Sequence, residues 1–123
     1  MEAMVKMLDN DDLKGLLATM RSYTESSGQG RDEFVHGLEE TFKGQDKNGN
    51  GVIDRSEFDG LIRGYFEMKG IKQTQEVYDH YFTKIDSDHS NGISLVEFTA
   101  FVDGVNRNEF IPAIENEIKS RGL

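Results

Sequence analysis

The sequence predicts an all-α fold of two helix–loop–helix units, with further helices at the N- and C-terminus. Three observations carry that reading. Apolar residues recur at helical spacing along most of the chain. A twelve-residue polar segment occurs twice, starting at Asp46 and again 40 residues later at Asp86. One proline in 123 residues leaves long helices unbroken, and the 13 glycines are then left to mark turns and loops.

Residues 1–22 carry Met4, Val5, Met7 and Leu8, then Leu13, Leu16, Leu17 and Met20. The cluster Asp9-Asn10-Asp11-Asp12 interrupts this run, ending one helical turn and capping the next, because short oxygen-bearing side chains accept from the free N–H groups of a helix start. Ser22–Gly30 is rich in Ser and Gly and reads as a linker, so residues 1–30 form a helical extension. From Asp32 a helix with Phe34, Val35, Leu38 and Phe42 runs into Asp46–Glu57. A second carries Phe58, Leu61, Ile62, Tyr65 and Phe66 and stops near Gly70, a residue suited to a left-handed helix end. A third starts at about Thr74, carries Val77, Tyr78, Tyr81, Phe82 and Ile85, and runs into Asp86–Glu97. The fourth, with Phe98, Phe101, Val102 and Val105, completes a pair over residues 31–106. In residues 107–123 a last helix shows the apolar stripe Phe110, Ile114 and Ile118. Asn108 or Ile111 is its expected cap, Pro112 sits in the tolerant first turn, and Gly122 closes it.

Composition narrows the function classes. The net charge of −9 disfavours nucleic acid, whose phosphates attract Lys and Arg, and suits cations or basic peptides. With no cysteine there is neither a disulfide nor a thiolate metal site, so any metal is held by oxygen or imidazole. No apolar run approaches the roughly 20 residues that span a bilayer. Met1-Glu2-Ala3-Met4 has neither the apolar core of a signal peptide nor a glycine for myristoylation, and Arg121-Gly122-Leu123 is not a prenylation box. The expected location is the cytoplasm.

The segment Asp46–Glu57 meets the calcium-loop pattern at every specified place. A hard divalent cation takes six to eight oxygens at about 2.3–2.6 Å, which a coiled twelve-residue loop can supply. Asp46, Asn48 and Asn50 offer side-chain oxygens at the first, third and fifth places, and Val52 its carbonyl at the seventh. Asp54 serves at the ninth, directly or through water, and Glu57 closes the loop with both oxygens. Gly51 allows the sharp turn at the sixth place, and Ile53 at the eighth points inward to a bridge between paired loops. A plain polar turn between helices rarely combines these features.

Asp86–Glu97 fits the same frame with departures. Asp86, Asp88, Ser90, Ser94 and Glu97 supply side chains, Gly92 its carbonyl, and Ile93 again stands eighth. Asn91 occupies the glycine place, and sliding the frame to correct this puts Ser87 first and Phe98 last, losing both anchoring carboxylates. Asn tolerates left-handed backbone better than other non-glycine residues. Calcium binding is therefore expected at both loops, weaker at the second, with magnesium as competitor; a purely structural second loop is the alternative.

These residues resemble those of EF-hand calcium-binding proteins, the calmodulin superfamily, over about Asp32 to Val105. The resemblance implies apolar residues around each loop: Tyr78, Phe82 and Ile85 precede the second and Phe98 follows it, whereas Gln45 stands before the first where an apolar residue belongs. It implies paired EF-hands, set face to face with a short antiparallel β contact between the loops, Val52-Ile53 against Gly92-Ile93. It also implies either a sensor that opens a groove of Leu61, Ile62, Tyr65, Phe66, Met68, Phe101 and Val102 for a basic amphipathic helix, or a buffer that opens little. One terminal helix, Met4–Met20 or Phe110–Ile118, is expected to lie in that groove as a lid. The pair is also similar to half of a larger four-hand protein of the protist calcium-binding type.

Other features carry less. Ser22–Glu33 imitates a third loop only through Glu33-Phe34, with Ser22 and Gln29 in the wrong places. His89 stands at an outward-facing loop place, and His36 and His80 have no partners for a zinc site. No nucleophile–base constellation or phosphate loop can be assembled, so the expected protein is a monomeric binding module rather than an enzyme.

Overall fold

The computed structural model describes residues 2–25 and 27–123. Met1, and Ser26 within the Ser/Gly stretch read as a linker, lie outside the described residues. The helices are α1 (Glu2–Met7), α2 (Asn10–Tyr23), α3 (Gln29–Gln45), α4 (Arg55–Lys69), α5 (Gln75–Ile85), α6 (Leu95–Val105) and α7 (Ile111–Ser120). A two-stranded antiparallel sheet joins β1 (Val52–Ile53) to β2 (Ile93–Ser94). The chain is all-α with two helix–loop–helix units, as the periodicity predicts, and these are paired through the sheet, as the resemblance implies. Among the described residues no helix is long and apolar enough to cross a membrane.

The helix ends follow local chemistry. Asp9 caps α2 by accepting from the Asp12 N–H at 2.7 Å, which is why the acidic cluster separates α1 from α2. Thr74 caps α5 in the same way, accepting from Val77. Gly70 ends α4 at φ 71°, a left-handed value that a side chain resists. Helix α3 starts at Gln29, earlier than expected, and leaves only a short connection after α2. The tail has no side-chain cap of its own. Instead α6 continues through a π-helical turn, Asn106–Phe110, into α7, with Ile111 N–H donating to the Asn106 carbonyl. Pro112 lacks an N–H and its ring crowds the carbonyl four residues back, a conflict that a locally widened turn relieves.

The chain forms two compact units, one from the N-terminus to Val35 together with Val102–Leu123, the other His36–Phe101; α3 and α6 each contribute to both. In the first, Val5, Leu13, Met20 and Ile114 form a buried cluster, with Leu8, Leu16, Leu17, Phe110 and Ile118 packed on it. The apolar stripes of α2 and α7, expected to offer a lid, are thus spent on each other. Arg121 fastens this arrangement by donating to the Leu8 and Lys6 carbonyls and to Asn10 Oδ1. In the second unit, Phe42, Ile53, Phe58, Ile62, Phe66, Phe82, Ile85, Ile93 and Phe98 are buried, with edge-to-face contacts of Phe58 with Phe82 and Phe66 with Tyr81.

Candidate metal-binding loops

The first loop joins α3 to α4, and its coil is held by backbone N–H groups aimed at side-chain oxygens. Gly51 donates to Asp46 Oδ2 at 2.9 Å, Asn50 to Asn48 Oδ1 at 3.2 Å, and Val52 to Asn50 Oδ1 at 3.1 Å. Gly51 has φ 83°, the left-handed turn expected at the sixth place. Asp54 and Glu57 form a reciprocal capping box at the start of α4: Glu57 N–H donates to Asp54 Oδ1 at 3.0 Å and Asp54 N–H to Glu57 Oε1 at 3.2 Å. Glu57 Oε2 accepts from Lys47 N–H at 2.8 Å. The Ser56 hydroxyl, then the Glu57 N–H, hold the Asp54 carboxyl below the usual carboxylate range.

The second loop repeats these contacts when counted from Asp86. Asn91 N–H donates to Asp86 Oδ2 at 2.8 Å, and Asn91 takes φ 68°, the counterpart of Gly51. Ser94 N–H donates to Glu97 Oε1 at 2.9 Å and Glu97 N–H to Ser94 Oγ at 3.2 Å, while Asp88 N–H reaches Glu97 Oε2 at 3.3 Å. Ser90 bonds Asp86 and the Gly92 carbonyl. The Ser90 hydroxyl leads the causes that hold Asp88 below the ordinary range. A Cβ on Gly92 would stand 3.1 Å from Val52 Cγ2, so this glycine lets the loops approach. The strand register pairs Val52 with Ser94 and Ile53 with Ile93, one residue further along the second loop than the expected Gly92-Ile93.

Calcium fits what these loops present. Carboxylate oxygens of Asp86, Asp88 and Glu97 lie within 4.8 Å of one another. In the first loop Asp46 Oδ1 is buried with no hydrogen-bond partner among the described residues, an acceptor that ordinarily demands a donor or a cation. At each expected ligand place the donor atom is an oxygen, the hard-ligand chemistry of calcium and magnesium. The three-carboxylate convergence falls on the second loop, whereas the first draws on the amides of Asn48 and Asn50 and keeps Asp54 at the helix cap.

Of the residues read as a target groove, Ile62 and Phe66 are buried core, and Leu61, Tyr65, Met68, Phe101 and Val102 are half-buried. Tyr65 meets Tyr81 and Phe101 edge to face. Two features escaped the sequence reading. The D-x-x-E capping box at Asp54–Glu57 was legible in its spacing. The seat of Gln45 against Gly60 was not: a Cβ on Gly60 would collide with the Gln45 side chain, so this amide fills space that a helical glycine leaves.

Two helix–loop–helix units joined by a β-bridge, each loop lined by oxygen, define a cation-binding domain. The family model for the EF-hand domain pair matches residues 36–102, more than half of the chain, and the chain belongs to that family of calcium-binding proteins. It is similar to guanylyl cyclase-activating protein 2 of Gallus gallus and of Lithobates pipiens. Each is 28% identical over 92 residues, an alignment covering 66% of this chain and 45% of the relative. The chain therefore spans less than half the length of these curated relatives.

Proposed function

We propose that this chain is a calcium sensor that takes up ions at both loops and then offers an apolar surface to a target helix. The observation that carries the reading is the convergence of Asp86, Asp88 and Glu97. Three like charges this close repel one another, which is a standing bias toward a divalent cation. The proposed ligands are Asp46, Asn48, Asn50, the Val52 carbonyl, Asp54 and Glu57 in one loop, and Asp86, Asp88, Ser90, the Gly92 carbonyl, Ser94 and Glu97 in the other. When bound, calcium supplies the positive charge that offsets these carboxylates. Three acids per loop correspond to sensor-range affinity, about 10⁻⁷–10⁻⁵ M. The second loop is weaker, because a serine stands at its fifth place, and magnesium competes at both.

Glu57 and Glu97 connect uptake to shape. Each carboxylate is held by backbone N–H groups of its own loop and sits in the first turn of the helix that follows. Turning both oxygens inward releases those N–H groups and draws α4 or α6 with it, bringing half-buried Leu61, Tyr65, Met68 and Phe101 into play. The acidic charge favours a basic amphipathic target, bound by a monomer in the cytoplasm. The relatives are named for activating guanylyl cyclase, so a guanylyl cyclase is one target to assay.

The test is a calcium titration of isotopically labelled protein followed by amide NMR. Shifts at both Gly51 and Asn91, with broad movement through Leu61–Met68, are expected. Shifts confined to the loops would make the chain a buffer, a response at Gly51 alone would make the second loop structural, and no response would overturn calcium binding.

A further inference from the structure

We propose that the fold makes Asn91 a site of spontaneous deamidation, and that the isoaspartyl product disables the second loop; the second clause rests on the calcium reading above. The sequence holds three Asn-Gly pairs, Asn48-Gly49, Asn50-Gly51 and Asn91-Gly92, all inside the two loops. In such a pair the glycine nitrogen can attack the asparagine side-chain carbonyl, because no Cβ on the glycine obstructs the approach. At Asn91 the Gly92 nitrogen passes its proton to hydroxide and bonds to Cγ. The Cγ–Nδ2 bond breaks, and Nδ2 takes a proton from water and leaves as ammonia. Water then opens the five-membered ring. Opening at Cγ gives aspartate, whereas opening at the Asn91 main-chain carbonyl gives isoaspartate, with the chain running through the former side chain.

The dipeptide is the same three times, so only the structure ranks the sites. Ring closure strips the glycine nitrogen of its hydrogen and ties down the asparagine side chain. In the first loop both changes break hydrogen bonds. Gly49 N–H donates to the Asp46 carbonyl at 3.2 Å and Gly51 N–H to Asp46 Oδ2 at 2.9 Å. Asn48 Oδ1 accepts from Asn50 N–H, and Asn50 Oδ1 from Val52 N–H. At Asn91-Gly92 neither change does. Among the described residues the Gly92 N–H has no acceptor, and it stands outside the β1–β2 ladder. The Asn91 side chain is exposed and makes no hydrogen bond with those residues. Gly92 is buried against Val52, so closure there removes a donor that the fold leaves unpaired. Isoaspartate adds one atom to the main chain between Asp86 and Glu97, and the spacing that sets those two carboxylates around one ion is lost.

The test holds the native protein in mildly alkaline buffer, digests it at intervals and follows each Asn-Gly peptide by mass spectrometry, with isoaspartate identified by electron-transfer fragmentation. Asn91 should convert about tenfold faster than Asn48 or Asn50, the factor that one or two hydrogen bonds surrendered on the way to the ring are worth. In urea sufficient to unfold the chain the three rates should converge. Native rates at Asn48 or Asn50 that equal or exceed the rate at Asn91, or the same ranking in urea, overturn the assignment. The isoaspartyl form, separated by chromatography, should take up one calcium ion fewer per chain in competition with a fluorescent chelator. Asn91→Gly, which has no amide to lose, should keep its starting uptake over the same incubation. Unchanged uptake by the isoaspartyl form overturns the disabling of the loop. A native chain that takes up no calcium overturns the sensor reading, whereas the deamidation, read by mass, stands.

Discussion

Ile53 and Ile93 stand directly opposite each other across the β1–β2 ladder, and neither side chain is exposed at all. Each occupies the eighth place of its loop, so the contact that joins the loops is built from the same residue twice. Replacing either with Ala removes buried methyl groups and should cost about 2–5 kcal/mol. Opposed residues on a ladder interact, so the double variant should cost less than the sum of the two. Urea denaturation followed by circular dichroism measures all three; strict additivity would mean that the pair does not couple the loops.

The sixth loop places make a second prediction. Gly51 and Asn91 both hold left-handed backbone, at φ 83° and 68°. Gly51→Ala should cost about 1–2 kcal/mol, the penalty of a Cβ in that region. Asn91→Gly should stay within about 0.5 kcal/mol of the native chain, since relief of left-handed strain is offset by added freedom in the unfolded chain. Denaturant midpoints in calcium-free buffer give both values.

Tyr78 donates its hydroxyl proton to Asp59 at 2.5 Å, and Asp59 also pairs with Arg63. The Tyr78 hydrogen bond, ahead of Arg63, lowers the Asp59 carboxyl below its ordinary range, and the same bond raises the phenol of Tyr78. The lowered acid stabilises the fold above its unfolded value of about 3.8, and that contribution fades as the pH falls through the folded value. The raised phenol stabilises the fold below about 10, and its contribution fades as the pH rises through its folded value. Tyr78→Phe should therefore melt earlier than the native chain between these limits and converge with it in strong alkali. Thermal melts across pH, with phenolate absorbance as the second readout, check the sign.

Gly60 and Gln45 give a fourth. Gly60 lies within α4, where Ala is preferred over Gly by about 1 kcal/mol. Gly60→Ala alone should gain less than that, because Gln45 must be displaced. Adding Gln45→Ala should recover the full helical preference. A double variant no more stable than the single one would show that the amide yields without cost.

The elements legible in the sequence were those settled within a few residues. Asp9 as a cap, Gly70 as a helix end, and Ile53 and Ile93 at their inward places all follow from neighbours close in the chain. The loop frame starting at Asp86 was legible for the same reason: its hydrogen bonds run between places at most ten residues apart. The reading slipped in two places. The tail lacks a side-chain cap because α6 runs on through a π-helical turn, and the strand register, which only the meeting of the two loops sets, stands one residue from the expected one.

By itself the sequence determined that this is a helical protein with two oxygen-lined loops, because cation ligands, turn glycines and helix caps are local chemistry with fixed spacing. The tertiary structure alone decided which apolar faces meet and which charges pair. An apolar stripe such as that of α7 specifies that a face will be buried but not against what, and here Ile114 settled on Val5, Leu13 and Met20. Arg31 and Asp103 lie 72 residues apart, and only the closing of the chain brings a guanidinium and a carboxylate so separated to 2.6 Å.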